Sequence, residues 1–182
     1  MSEDVLVRNS SPTLAGIKTG SLFSCAFRSG DEMRRCLRQW NRILRPKGIR
    51  AVSVRYGHGR GLIYVFCNRQ LYRDLTDPKT VEILTPLGYN CEEPGRCIAL
   101  LRQRMKRSDP FPHEIGLFLG YPPDDVIGFI RDAKAYKYAG LWKVYGDVSK
   151  ARALFDAYKA CTEAYCTRFC GGCTVEDLAV AG

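Results

Sequence analysis

Apolar residues change their spacing several times along the chain, and each change marks an expected element. After a segment that reads as a loop, residues 21 to 27 (SLFSCAF) form a β-prone run, so a first strand is expected there. Residues 31 to 46 place Met33, Cys36, Leu37, Trp40, Ile43 and Leu44 on one helical stripe. Arg34, Arg35, Arg38, Arg42 and Arg45 fall largely outside it, and Pro46 and Gly48 stop the helix. Residues 49 to 67 (IRAVSVRYGHGRGLIYVFC) hold two β-branched and aromatic runs around a glycine-containing turn, which predicts a hairpin.

Two short helices are expected at 69 to 75 and 78 to 87, then a longer one from Pro94 to Arg107 that buries Ile98, Leu100, Leu101 and Met105. The segment SDPFP ends it, because a proline disfavours helix in the residue before it. Two further short helices follow, broken at Tyr121, with Pro122 and Pro123 suited to opening the second. LWKVYGD (141 to 147) reads as a strand with Trp142 and Val144 on one side and Lys143 and Tyr145 on the other. A last helix from Val148 to Phe169 offers Val148, Ala151, Phe155, Tyr158, Thr162, Tyr165 and Phe169 to one face and ends at Gly171-Gly172.

Strands, then a cluster of helices, one more strand and a closing helix predict an α+β fold. Its sheet is antiparallel or mixed, of about four strands, and covered by helices on one side. Regular strand-helix alternation is missing, which argues against a doubly wound fold. The 182 residues fit one domain, with residues 1 to 10 a polar leader and 170 to 182 a flexible, cysteine-containing tail.

Composition narrows the setting. No run approaches the roughly 18 apolar residues of a membrane span. The start is polar and acidic, so neither a signal peptide nor a membrane association is expected. Nine cysteines, an odd number without an export signal, predict reduced thiols in a cytoplasm, an anaerobic one. The net charge of +9 is uneven: residues 1 to 107 carry 20 Lys and Arg against 9 Asp and Glu, the rest 8 against 10. A basic half attracts nucleic acid, an anionic small molecule or an acidic partner without choosing among them.

Three segments, SPTLAGIKTGSLF, FPHEIGLFLGYPPDDVIGFI and GLWKVYGD with the helix ending in YKACTEAY, resemble the signature blocks of a known family. It is the family catalogued as domain of unknown function number 3793, known mainly from anaerobic Firmicutes and gut Actinobacteria, and HEIGLFLGYP is its central block. The resemblance spans about Ser11 to Tyr165. It implies kinship and brings no reaction, cofactor or catalytic residue with it.

Candidate chemistry therefore comes from the residues themselves. His113 and Glu114 open a helix beside an apolar run, a pair suited to acid-base work or ligand holding, or else to capping that helix. The segment around Ser11, Thr13 and Lys18 supplies hydroxyls, an ammonium and glycines that could meet an anion, or ordinary turn chemistry; its glycine spacing fits neither a Walker loop nor a dinucleotide fingerprint. If the polar side of residues 141 to 147 faces these blocks, Lys18, His113, Glu114, Tyr121, Lys143 and Tyr145 would line one pocket for a small anionic ligand or cofactor, in a binding protein or an enzyme.

Two alternatives stand beside it. Arg34, Arg38 and Arg42 on the basic helix, with Arg55 and Arg60 at the hairpin tip, could grip nucleic acid. Cys161, Cys166, Cys170 and Cys173, spaced C-x4-C-x3-C-x2-C, could hold zinc or an iron-sulfur centre, or form a redox dithiol that meets a redox protein partner, or be plain thiols.

Overall fold

The computed structural model describes residues 3–107 and 111–180, so the SDPFP stop lies partly outside the described residues. A three-stranded antiparallel sheet organises the chain: β1 (Gly20–Ala26), β2 (Ile49–Gly57) and β3 (Arg60–Cys67), in the order β1-β3-β2. The hairpin between β2 and β3 turns on His58 and Gly59, whose φ values of 49° and 69° are both left-handed. Such a two-residue loop matches the twist of paired strands, and it requires glycine or a tolerant residue at both positions. Register runs from Gly57 opposite Arg60 to Ile49 opposite Cys67, with a bulge between Ser53 and Arg55.

Helices cover both faces of this sheet rather than the one expected. On one side Ile63 and Val65 of β3 join α1 (Glu3–Leu14), α2 (Gly30–Leu44), the end of α8 (Val148–Cys170) and α9 (Val175–Leu178). On the other, Tyr64 and Phe66 join α3 (Asn68–Leu75), α4 (Pro78–Leu84), α5 (Pro94–Arg107) and α6 (Ile115–Phe118). Alternate residues of a strand point to opposite faces, so a middle strand covered twice must be apolar at every position. LIYVFC is such a run; it predicts two covering layers where an alternating strand predicts one.

Three other expectations need correction. The polar leader is the helix α1, which buries Leu6, Val7, Ser10, Ser11, Thr13 and Leu14 and contains Pro12. Its hydroxyls are buried at low cost where the fold supplies acceptors: Ser11 Oγ donates to the Val7 carbonyl at 2.6 Å, and the Thr13 and Ser21 hydroxyls bond to each other at 2.9 Å. The strand expected at 141 to 147 is only β5 (Lys143–Val144), paired with β4 (Tyr138–Ala139) in a separate hairpin outside the main sheet. Trp142 and Val144 are nonetheless buried, with Lys143 and Tyr145 half-buried. Beyond Gly172 the tail forms α9, with Thr174 and Asp177 in a reciprocal cap and Val175, Leu178 and Ala179 buried. No helix among the described residues is long and apolar enough to cross a membrane.

Candidate functional site

The β4–β5 hairpin packs against α7 (Pro123–Arg131), and a cleft lies between them that Ile115 and Gly116 of α6 also line. Gly120, at φ 77°, ends α6 in the left-handed conformation, and Pro122 and Pro123 open α7. Gly116 lets the two helices close up, since a Cβ there would lie 2.8 Å from Val126 Cγ2 and 3.1 Å from the Tyr121 ring. Asp125, buried on α7, then fixes the hairpin. Its Oδ1 accepts the backbone N–H of Tyr145 at 2.7 Å and of Gly146 at 2.8 Å, and its Oδ2 accepts the Trp142 indole N–H at 2.7 Å. These bonds explain why the strand is so short: amides that a neighbouring strand would pair are taken by a carboxylate.

The cleft has a volume of about 270 Å³. Its walls are mostly apolar and aromatic, including Phe111, Tyr121, Val126, Phe129 and Trp142. Tyr121 and Trp142 stack, with ring centroids 4.5 Å apart and planes at 23°. Two nitrogen-bearing side chains look in from different elements. His113 is exposed and meets Phe129 edge-on at 4.9 Å, while Lys143 spends one N–H on the Ala133 carbonyl at 2.7 Å and lies 4.8 Å from the centre of the Tyr136 ring. An ammonium has three donors, so Lys143 keeps two for a ligand.

Of the residues proposed from sequence to share a pocket, His113, Tyr121 and Lys143 do so. Glu114 points the other way: it accepts from Arg104 Nε at 2.6 Å and from the Tyr89 hydroxyl at 3.0 Å, with only 5% of its side chain exposed. Burial, followed by the adjacent carboxylate, raises the Tyr89 phenol. Glu114 thus ties α5 to the start of α6 and is absent from the cleft lining. The Tyr145 hydroxyl is buried without a hydrogen-bond partner, and its ring lies so close to Gly128 that a Cβ there would be 2.3 Å from Tyr145 Cγ. Ser11 and Thr13 spend their hydroxyls inside the fold.

Lys18 lies in a second groove, of about 490 Å³, lined by the end of α1 and the middle of α8. Its Nζ is 5.8 Å from the centre of the Tyr121 ring and 5.6 Å from that of Tyr158. Burial pushes its ammonium down from the ordinary 10.5 to about 8. The native state then binds fewer protons than the unfolded chain between pH 8 and 10.5. The cost of burying the cation is full below pH 8 and fades as pH rises through that window. Lys18→Met is expected to be more stable than the wild type by about 2–3 kcal/mol at pH 7. Urea unfolding at stepped pH should show that advantage shrinking toward pH 10.

The alternative sites sit elsewhere. Arg34, Arg38, Arg42, Arg55 and Arg60 are exposed on α2 and the hairpin tip and do not line the cleft. Arg34 pairs with Asp31, and Arg60 donates to Ser24 Oγ at 3.0 Å and to the Ser24 carbonyl at 3.3 Å. Cys161, Cys166 and Cys173 are half-buried against the α1–α2 core, and Cys170 is exposed. No group of three or more His, Cys, Asp or Glu among the described residues is placed to hold a metal ion, so the C-x4-C-x3-C-x2-C spacing is not matched by a gathered ligand set. Cys91 and Cys97 do meet, but burial first and then the neighbouring thiol push Cys97 up to about 12, far from a thiolate at neutral pH.

Asp125 and Phe129 were not singled out by sequence reasoning, and Tyr158 was read only as part of the inward face of the last helix. The doubled Asp124-Asp125 after two prolines was the available signal. One acidic residue satisfies a helix start, and Asp124 serves as the surface member, pairing with Lys79 at 2.9 Å.

A family model described as protein of unknown function (DUF3793) matches residues 6–179. No curated protein and no solved structure matches the chain.

Proposed function

The chain belongs to the DUF3793 family, proteins of unknown function, and we propose that it binds a small anionic molecule with a flat apolar body in the cleft between α6–α7 and the β4–β5 hairpin. The observation that carries this reading is that His113 and Lys143, thirty residues apart, look into one aromatic-walled cavity. Small-molecule sites are concave and largely apolar, with a few convergent polar groups that fix orientation. Here Phe129, Tyr121 and Trp142 offer ring faces and edges to a planar body, while the ammonium and imidazole take its charge. The Asp125 carboxylate also lines the cleft, and three N–H donors occupy its oxygens and stabilise its charge, so the ammonium and imidazole are the polar groups left to meet the ligand.

Benzoate and its neutral analogue benzamide test this in the full chain. Benzoate is expected to bind more tightly than benzamide, and Lys143→Met and His113→Ala are each expected to weaken it about tenfold, the loss of one charge-assisted contact. Ligand-observed NMR reads both effects. Equal binding of the two probes, or benzoate binding unchanged in both variants, removes the reading.

A further inference from the structure

The groove that holds Lys18 contains a cation with no ion-pair partner, although the exposed Asp156 also lines it. Among the described residues, the ion pairs use other lysines and arginines, and Lys18 Nζ has only the two tyrosine rings beside it. Lys159 lines the same groove but is exposed, so one concavity holds both a sheltered and a solvated amine. A sheltered amine with no carboxylate paired to it gives up its proton more easily than a solvated one, and a neutral lysine amine is a nucleophile toward carbonyl compounds.

We propose that the Lys18 amine forms an imine with a small aldehyde or ketone held in this groove, against Pro12, Leu141 and Tyr158. The nitrogen lone pair attacks the carbonyl carbon, the C–N bond forms as the C=O π pair moves to oxygen, and the nitrogen's proton passes to that oxygen. The carbinolamine hydroxyl takes up a proton from solvent and leaves as water while the nitrogen lone pair makes the C=N bond, and the remaining N–H proton returns to solvent to give the imine. Amine and carbonyl go in, imine and one water come out, and no oxidant or reductant is needed. Tyr121 and Tyr158 keep the ammonium poorly solvated, and the groove is roomy enough for a reactant beside the amine.

Reductive alkylation of the full chain with propionaldehyde and cyanoborohydride, read by peptide mass spectrometry, is the test. With its ammonium at about 8, Lys18 is about half neutral at pH 8, whereas an ordinary lysine is well below one percent neutral. A lower basicity also lowers intrinsic nucleophilicity, so Lys18 is expected to label on the order of tenfold faster than Lys159 or the exposed Lys134 and Lys150. The preference should collapse by pH 10.5. Lys18→Arg, which keeps the charge, should abolish the fast phase while circular dichroism stays native, and Lys18→Met should do the same. Lys18 labelling no faster than Lys159, a preference equal at pH 8 and 10.5, or a fast phase that survives Lys18→Arg overturns the proposal. Lys18 does not line the benzoate cleft, so failure here leaves that reading intact, and failure there leaves this one.

Discussion

Arg104→Met is expected to lower the unfolding free energy by about 3–5 kcal/mol, the cost of leaving a buried carboxylate without its cation. The side chain of Glu114 is only 5% exposed, against 36% for Arg104, so the two partners are not equivalent. Removing the arginine strands a charge that water cannot reach. Removing the carboxylate strands one that water can. Glu114→Gln is therefore expected to cost less, and the double variant Arg104→Met with Glu114→Gln should recover much of the single loss. Urea unfolding at neutral pH measures all three. If Glu114 were a working acid or base of the cleft, Glu114→Gln would instead weaken benzoate binding with stability nearly unchanged.

Asp125→Ala has the second largest expected effect, about 4 kcal/mol, because three donors lose one acceptor together. The Trp142 indole is buried, so its N–H finds no substitute, while the Tyr145 and Gly146 amides are partly reachable by water. The loss should also have a local signature. Without the carboxylate, the hairpin carrying Lys143 is no longer tied to α7, and Trp142 fluorescence should shift red at denaturant concentrations where α-helical circular dichroism is still native. A single coincident transition for both signals would show that the hairpin is held by the packing of Trp142 on Phe155 and Tyr121 instead.

The central hairpin and the long helices are legible from periodicity, since each signal there is strong and local: the β-branched runs around Gly59, and the stripes of α2 and α8. The helix α1 is not, because Ser10, Ser11, Pro12 and Thr13 carry the composition of a turn. What overrides that preference is long-range: α1 is packed between the sheet and α8, and Ser21 supplies a partner for Thr13. The short β5 is a similar case. Alternation correctly assigns Trp142 and Val144 inward, but the acceptor for the next two amides is a side chain twenty residues earlier, and no pattern within 141 to 147 reveals it.

The site was legible to the same degree. His113, Tyr121 and Lys143 were grouped because the segments carrying them resemble blocks of one family, and they do line one cleft. Lys18 was grouped with them too, and it lines a different groove instead. Glu114 sits next to His113 in sequence, yet on a tight helical turn adjacent side chains diverge, so one faces the cleft and the other the core.

Backbone amide shifts on titrating isotope-labelled protein with benzoate bear most directly on the cleft as a binding site. The expected perturbations fall on residues 113 to 116, 125 to 129 and 141 to 145, with those at 9 to 21 and 155 to 162 unmoved. Shifts confined to the second set, or spread evenly over the basic surface of α2, would contradict it.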